Sequence, residues 1–167
     1  HEISLEAGFP RLAELDAIGA PAAIGSRDWV SYGVMRDALA GSVAYRACRP
    51  ELWSASAATG WHSSLPILFE IQPVETADER QQAVDRLSRL AGYVDVETEN
   101  LRQGLAQGYS APRGNVPALI AEVRALLAEG TPLLSPAVRA GDPELAARMR
   151  EVLDREVAPA VERYARF

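Results

Sequence analysis

The fold class is decided by the stretch from Gln72 to Glu129, QPVETADERQQAVDRLSRLAGYVDVETENLRQGLAQGYSAPRGNVPALIAEVRALLAE. Its apolar residues recur at spacings of three and four, which places them on one face of an α-helix. Thr76 and Glu79 have the spacing of a capping box, in which each side chain accepts a hydrogen bond from a backbone amide at the helix start. The stretch predicts three helices, with breaks at Gly92 and at residues 108–115. The short connection at Gly92 also allows one bent helix.

Helix signals also precede this stretch. Pro10 predicts that the first helix begins or bends near Phe9, because proline removes a backbone donor. Ser26 is placed to cap a second helix over residues 27–47. Apolar residues on two faces of that helix predict that it is buried between neighbours, and Cys48 is expected to be a small buried residue.

The segment between these helices and Gln72 carries a weaker signal. Residues 51–64 lack periodicity and predict a long irregular connection, which is either functional or a packing segment. Ser64 can cap a short helix through Ile71, with Pro66 in its first turn.

The C-terminal third repeats the helical pattern. Asn115 is expected to cap a helix that ends at residues 130–132, and residues 133–141 read as a connection with one helical turn. Asp142, followed by a proline and a glutamate, is a strong start for the last helix. Pro159 predicts a kink in that helix.

No segment alternates apolar and polar residues between turn signals, so the sequence predicts an all-α protein. The expected architecture is an irregular multi-helix bundle of about six to seven helices, with residues 1–167 as a single helical domain or a fragment of one. The last helical pattern stops at Phe167 without a cap. We therefore expect an incomplete part of a larger helical domain.

Composition limits the classes of partner. The net charge is −6, the isoelectric point is near 5.0, and every basic residue except histidine is an arginine. Nucleic-acid binding needs a basic stripe that neutralises phosphates, so no nucleic-acid partner is predicted. No apolar run approaches the ~20 residues that cross a bilayer, so no transmembrane segment is predicted.

The sequence contains no recognisable catalytic motif. A zinc site normally needs three or four His, Cys or carboxylate ligands, and the His and Cys residues of this chain are His1, His62 and Cys48. His1-Glu2 begins like the zinc motif H-E-x-x-H, but position 5 is Leu5, so the second histidine is missing. Residues 108–112 approach the G-x-S-x-G pattern but lack its final glycine. The sequence therefore predicts no catalytic residue, no metal ligand and no cofactor bound by this chain.

Four polar or aromatic residues on predicted irregular segments are candidate ligand contacts. They are Trp61, His62, Tyr109 and Arg113. Arg113 could hold a carboxylate with two parallel hydrogen bonds, and Tyr109 or Trp61 could stack on a ligand. The alternative is structural: Tyr109 packs where a helix ends, and Arg113 pairs with a nearby acid.

Several strings occur in the order and spacing of a known bacterial family. They are WHSSLP from Trp61, Gln72-Pro73, Asp85-Arg86-Leu87, LRQGL from Leu101, GYSAPR from Gly108 and the helical segment ending Val157-Ala158-Pro159. With these strings the sequence resembles the family known as domain of unknown function 885, over roughly Asp28 to Phe167.

The resemblance implies a helical protein, often exported or lipid-anchored, similar to zinc-dependent metallopeptidases with an H-E-x-x-x-G-H-type motif in their C-terminal half. This sequence does not contain that motif. The implied function is a non-catalytic N-terminal helical portion that forms a wall of the substrate cleft. The implied partners are the remaining C-terminal part of the same protein, where zinc would bind, and a peptide substrate. An exposed apolar face would also allow self-association.

The alternative is a self-contained helical binding or interaction module without catalytic activity. Such a module would have a fully covered core. It would also place a pocket between the segments that contain Trp61 and Tyr109.

Overall fold

The computed structural model describes residues 8–167. Over these residues it contains helices and no β-strand, which confirms the predicted all-α class. Seven helices are described when the continuous helix at residues 143–166 is counted once. The chain divides into two compact units, residues 1–50 and 51–167. The single-domain assignment stays a prediction.

The first unit contains two packed helices, α1 (Gly8–Ile18) and α2 (Arg27–Tyr45). Within the described residues α1 runs from Gly8, and the N-terminal part of that predicted helix lies outside them, so a start or a bend near Phe9 stays a prediction. The hydroxyl of Ser26 accepts a hydrogen bond from the Trp29 amide at 3.2 Å, which confirms the predicted cap of α2.

Two predictions for the first unit are wrong. Among the described residues α2 buries no side chain, and Val34 and Met35 are 66% and 56% exposed. One helix, α1, packs against α2 within this unit, and a single partner cannot cover two apolar faces. Cys48 is exposed. It lies in a 3₁₀ turn that follows α2, and α2 itself buries no side chain.

The second unit contains the remaining helices. They are α3 (Trp61–Ile71), α4 (Ala77–Ala106), α5 (Val116–Ala125), α6 (Ser135–Ala140), α7 (Pro143–Val152) and α8 (Ala158–Arg166). A π-helical segment, Leu153–Val157, joins α7 and α8 into one continuous C-terminal helix. Buried side chains from all of these helices form one hydrophobic core. Between residues 8 and 167, no helix combines the length and apolar character that a bilayer-spanning segment needs.

α4 is the longest helix and begins at the predicted capping box. The Thr76 amide donates to the Glu79 carboxylate at 2.9 Å, and the Glu79 amide donates to the Thr76 hydroxyl at 3.2 Å. The predicted break at Gly92 is wrong, and the alternative of a single helix is confirmed. Leu90 and Val94 are buried on either side of Gly92, and their burial outweighs the cost of about 1 kcal/mol for glycine in a helix.

α3 begins at Trp61, and its N-cap is Gly60 instead of the predicted Ser64. Trp61 and His62 therefore lie in a first helical turn, which corrects their predicted placement in an irregular connection. The earlier start buries both rings, and the Ser63 hydroxyl fixes it by donating to the Gly60 carbonyl at 2.9 Å.

α4 and the C-terminal helix run parallel and are joined by three polar contacts. These are Arg148 to Gln81, Ser88 to Glu156 at 2.7 Å, and Arg163 to Asp95 at 2.7 Å. Successive contacts are seven residues apart on α4, but eight and then seven apart on the C-terminal helix. The additional residue falls across the π-helical segment, which is the insertion that a π-bulge makes in an α-helix.

The helix continues through Pro159, and the kink predicted there stays a prediction. The irregularity is the π-helical segment one turn earlier. Pro159 has no amide to donate to the Arg155 carbonyl, so the helical hydrogen-bond pattern is interrupted there.

The chain between α4 and α7 returns to the start of α4. Asn115 precedes α5 as predicted but forms no side-chain cap, and α5 ends at Ala125, before the predicted end at residues 130–132. The predicted single turn after Ser135 is the helix α6. Asp142 caps α7 as predicted, accepting from two backbone amides at 3.0 Å.

Gly104 permits a close approach of two backbones. A Cβ atom at this position would lie 1.8 Å from the carbonyl oxygen of Leu52. No non-bonded pair of atoms can be so close, so any larger residue would displace the connection before α3. Gly104 therefore fixes residues 52–55 against α4.

We expect Gly104→Ala to destabilise the protein by more than about 2 kcal/mol, because neither backbone can move without disrupting the core. Urea unfolding followed by circular dichroism measures this change. Gly92→Ala is the matched control in the same helix, since nothing lies within 4 Å of its added Cβ. That variant should gain about 0.5–1 kcal/mol. Equal effects of the two substitutions would contradict the close approach.

Candidate functional site

An apolar pocket of about 200 Å³ lies in the second unit, at the C-terminal ends of α4 and α8. Its walls are side chains of α4, α5 and the segment that ends at Phe167, together with the connection before α3. Among the lining residues are Leu101, Leu105, Val116, Ile120, Tyr164 and Phe167. No lining residue is charged, so the pocket suits an apolar group.

Tyr109 lines this pocket because of the way in which α4 ends. The Tyr109 amide donates to the Gly104 carbonyl at 2.9 Å, and the Gly108 amide donates to the Leu105 carbonyl at 3.1 Å. These two bonds form a Schellman motif, which requires the left-handed conformation of Gly108 at φ 86°. The motif turns the chain back so that Tyr109 and Ala111 close one side of the pocket.

The structure separates the four candidate ligand contacts. Tyr109 alone among them lines the pocket. Trp61 is buried behind it, where its ring meets the Tyr164 ring edge-to-face with the centroids 5.5 Å apart. His62 is also buried, with its Nε2 3.0 Å from the Ala57 carbonyl oxygen. Arg113 is exposed and lines none of the pockets described here. The role of each residue in ligand contact stays a prediction.

A second depression, the arginine recess, adjoins the pocket. It has a volume of about 460 Å³ and is lined by Asp95, Thr98, Arg102, Arg163, Arg166 and Phe167. Phe167 belongs to both sites. The guanidinium carbon of Arg102 lies 5.1 Å from the centre of the Phe167 ring, within the range of a cation–π contact.

The charges of the recess are only partly compensated. Arg163 forms a two-pronged ion pair with Asp95, and Arg102 contacts Glu99 at 2.6 Å. Arg166 donates to the backbone carbonyl of Glu162 at 3.1 Å and forms no ion pair with a described carboxylate. The recess is thus lined by three arginines and one aspartate.

Tyr164 belongs to a group of two tyrosines and one acid, whose other members are Tyr93 and Glu97. Burial raises the pKa of Tyr164 and also that of Tyr93. Burial also raises the pKa of Glu97, and a hydrogen bond from the Tyr93 side chain partly opposes this shift. A raised carboxyl pKa means that the ionised form of Glu97 is less stable here than in water.

Residues 8–167 contain no group of three or more His, Cys, Asp or Glu side chains arranged to hold a metal ion. The described residues thus do not fit a zinc site. That zinc binds in a C-terminal part of the same protein stays a prediction.

Sequence reasoning missed the contributions of Arg102 and Phe167. A signal for Arg102 exists, because it follows Asp95 by seven residues and so continues the row of polar contacts along α4. No comparable signal marks Phe167, since its two contacts join segments that are distant in sequence.

The fold and the pocket define an all-α protein with a small apolar pocket beside a recess lined by three arginines. Residues 5–167 match the model of a family described as "Bacterial protein of unknown function (DUF885)", and the chain belongs to this family. This match confirms the resemblance seen in the sequence. No curated protein and no solved structure matches the chain.

The raised pKa of Glu97 gives a pH-dependent prediction. The folded state holds the Glu97 proton more tightly than the unfolded state does, so the carboxyl favours folding below its ordinary pKa of about 4.3. This contribution is lost as the pH rises through the folded-state pKa. We therefore expect Glu97→Gln to stabilise the protein at pH 7, by less than about 1 kcal/mol given the partial solvent access, and the gain should vanish near pH 4.

Glu99→Gln is the matched control, two residues further along α4. Its hydrogen bond with Arg102 lowers the pKa of Glu99, so the substitution should give no stabilisation at pH 7. Urea unfolding of both variants between pH 4 and pH 7 provides the comparison. A stabilisation by Glu97→Gln that stayed constant over this range would be inconsistent with the raised pKa.

Proposed function

We propose that this chain is a non-catalytic helical portion of a peptidase-like protein, and that its second unit supplies one wall of a peptide-binding cleft. In this wall, the apolar pocket beside Tyr109 receives an apolar side chain of the peptide. The observation that carries the proposal is the uncharged lining of the pocket, which comes from five separate segments of the second unit.

The size of the pocket favours one amino-acid side chain over a whole drug-sized molecule as its occupant. Pockets for drug-sized ligands typically measure about 300–1,000 Å³. The volume of about 200 Å³ is smaller, and the lining combines aliphatic residues with the ring of Tyr109. An aliphatic side chain, with the rest of the peptide lying outside, matches this shape and chemistry.

The second candidate is a helical binding module that acts without a catalytic partner. One observation favours it: every lining residue of the pocket lies within residues 52–167, so the second unit forms the pocket without help. Both functions use the same pocket for an apolar group. They differ in whether a catalytic part of the parent protein acts on what is bound.

N-acetyl-L-leucinamide is a minimal probe for the pocket, because it carries one aliphatic side chain between two peptide groups and has no charge. We expect it to shift the methyl NMR signals of Leu101, Leu105 and Ile120 in a saturable titration. Ala111→Phe and Val116→Phe each place a ring at the pocket wall and should weaken binding at least about tenfold.

Ala125→Phe is the matched control, because Ala125 is exposed and does not line the pocket. It should bind the probe as the unchanged protein does. Circular dichroism would establish that all three variants fold. Shifts that do not saturate, or that survive both occluding substitutions, would count against a side-chain pocket.

A metal analysis addresses the non-catalytic assignment. We expect the purified chain to contain less than stoichiometric zinc after dialysis against zinc-supplemented buffer, and to hydrolyse no peptide. The physical reason is that residues 8–167 offer no group of three suitable ligands. Stoichiometric zinc held by this chain would overturn the assignment.

A further inference from the structure

A recess of about 230 Å³, the seam recess, lies between α4 and the C-terminal helix. It is separate from the apolar pocket, because no residue lines both. Arg148, which contacts Gln81, and Glu156, which contacts Ser88, lie at its two ends. Its lining residues are Val84, Arg148, Glu151, Val152, Arg155 and Glu156.

The π-helical segment Leu153–Val157 determines which charge lies at the second end of the seam recess. Ser88 follows Gln81 by seven residues on α4, and seven residues after Arg148 on the C-terminal helix is Arg155. The additional residue of the π-helical segment places Glu156 opposite Ser88 instead. The seam recess therefore has a cation at one end and an acid at the other, beside a type of irregularity that is frequent at functional sites.

The charges at the two ends are opposite, and each contacts an uncharged group. Arg148 donates to the side-chain amide oxygen of Gln81, and Glu156 accepts from the Ser88 hydroxyl at 2.7 Å. Neither forms an ion pair with a described residue. A matching ligand therefore carries an anionic group at one end and a cationic group at the other.

The middle of the seam recess offers no further excess of charge. Arg155 and Glu151 form their own ion pair at 2.6 Å. The buried Val84 and the half-buried Val152 supply apolar surface beside this pair. The middle part of the ligand can therefore be uncharged and carry small apolar groups.

We propose that the seam recess binds a free dipeptide, with its carboxylate at Arg148 and its ammonium group at Glu156. The two end contacts are seven residues apart on α4, which is about 10 Å of helix. Two extended residues span about 7 Å, so the termini of a dipeptide can reach both charged side chains at once. This inference goes beyond the proposed function, because it needs neither the apolar pocket nor a catalytic part of the parent protein.

L-Alanyl-L-alanine is the probe, because it has two charged termini and small side chains. We expect it to shift the methyl NMR signals of Val84 and Val152 in a saturable titration. N-acetyl-L-alanyl-L-alanine lacks the cation, and L-alanyl-L-alaninamide lacks the anion. Each should bind about two- to fivefold more weakly, the range for one exposed ion pair. Added salt should reduce these differences, because the lining charges are exposed to solvent.

Two substitutions separate the ends of the site. Arg148→Gln should remove the preference for a free carboxylate and keep the preference for a free ammonium group. Glu156→Gln should do the reverse, and its amide oxygen can still accept from the Ser88 hydroxyl. Arg150→Gln and Asp154→Asn are the matched controls, because they remove the same charges from exposed positions of the same helix that do not line the seam recess.

Both controls should retain both preferences, and circular dichroism would establish that all four variants fold. Equal affinities for the dipeptide and its two blocked forms would overturn the recognition of charged termini. The absence of saturable shifts at Val84 and Val152 would overturn the site, and it would leave the apolar pocket unaffected, since that pocket is reported by Leu101 and Ile120. Binding of L-alanine as tight as that of the dipeptide would overturn the assignment to a dipeptide.

Discussion

The parallel packing of α4 against the C-terminal helix is the constraint on which the second unit depends. Two helices of one chain can run parallel only if the chain between them returns to its starting level, and residues 107–142 make this return. The buried faces of both helices must then stay in register over several turns. The π-helical segment Leu153–Val157 adds one residue and keeps the polar contacts aligned on either side of it. A local irregularity thus preserves a long-range register.

The pocket lies beside the last turns of α4. There α4 is contacted by the loop that follows it and by the connection before α3. Gly104 admits the backbone of Leu52 on one side, and the turn at Gly108 brings the chain back on the other. A loop and an irregular connection do not interdigitate with α4 as a second helix would. A volume of about 200 Å³ therefore stays open.

The features that were predictable are those that depend on residues close together in the sequence. Thr76 and Asp142 cap their helices as expected, because a cap involves residues two or three positions apart. Gly92 was misread as a break, because the burial that carries α4 through it comes from helices far away in sequence. Cys48 was misread for the same reason, since its exposure depends on where the chain goes next. Only part of the pocket was predictable. Tyr109 was a candidate because it is an aromatic residue on a predicted irregular segment, but the apolar residues that line the pocket with it look like ordinary core residues in the sequence.

The position of Phe167 gives the candidate site its chemical character. A ring shared by an apolar pocket and a basic recess contributes to both, because its face interacts with the Arg102 cation while the same side chain lines the apolar pocket. An apolar group that enters the pocket would remove water from around the ring. Excluding water lowers the local dielectric constant, so the attraction between the Phe167 ring and the Arg102 cation becomes stronger. Occupation of the pocket should therefore tighten the contact that holds Phe167 against α4, so the apolar lining and the cation that it adjoins are coupled through one ring.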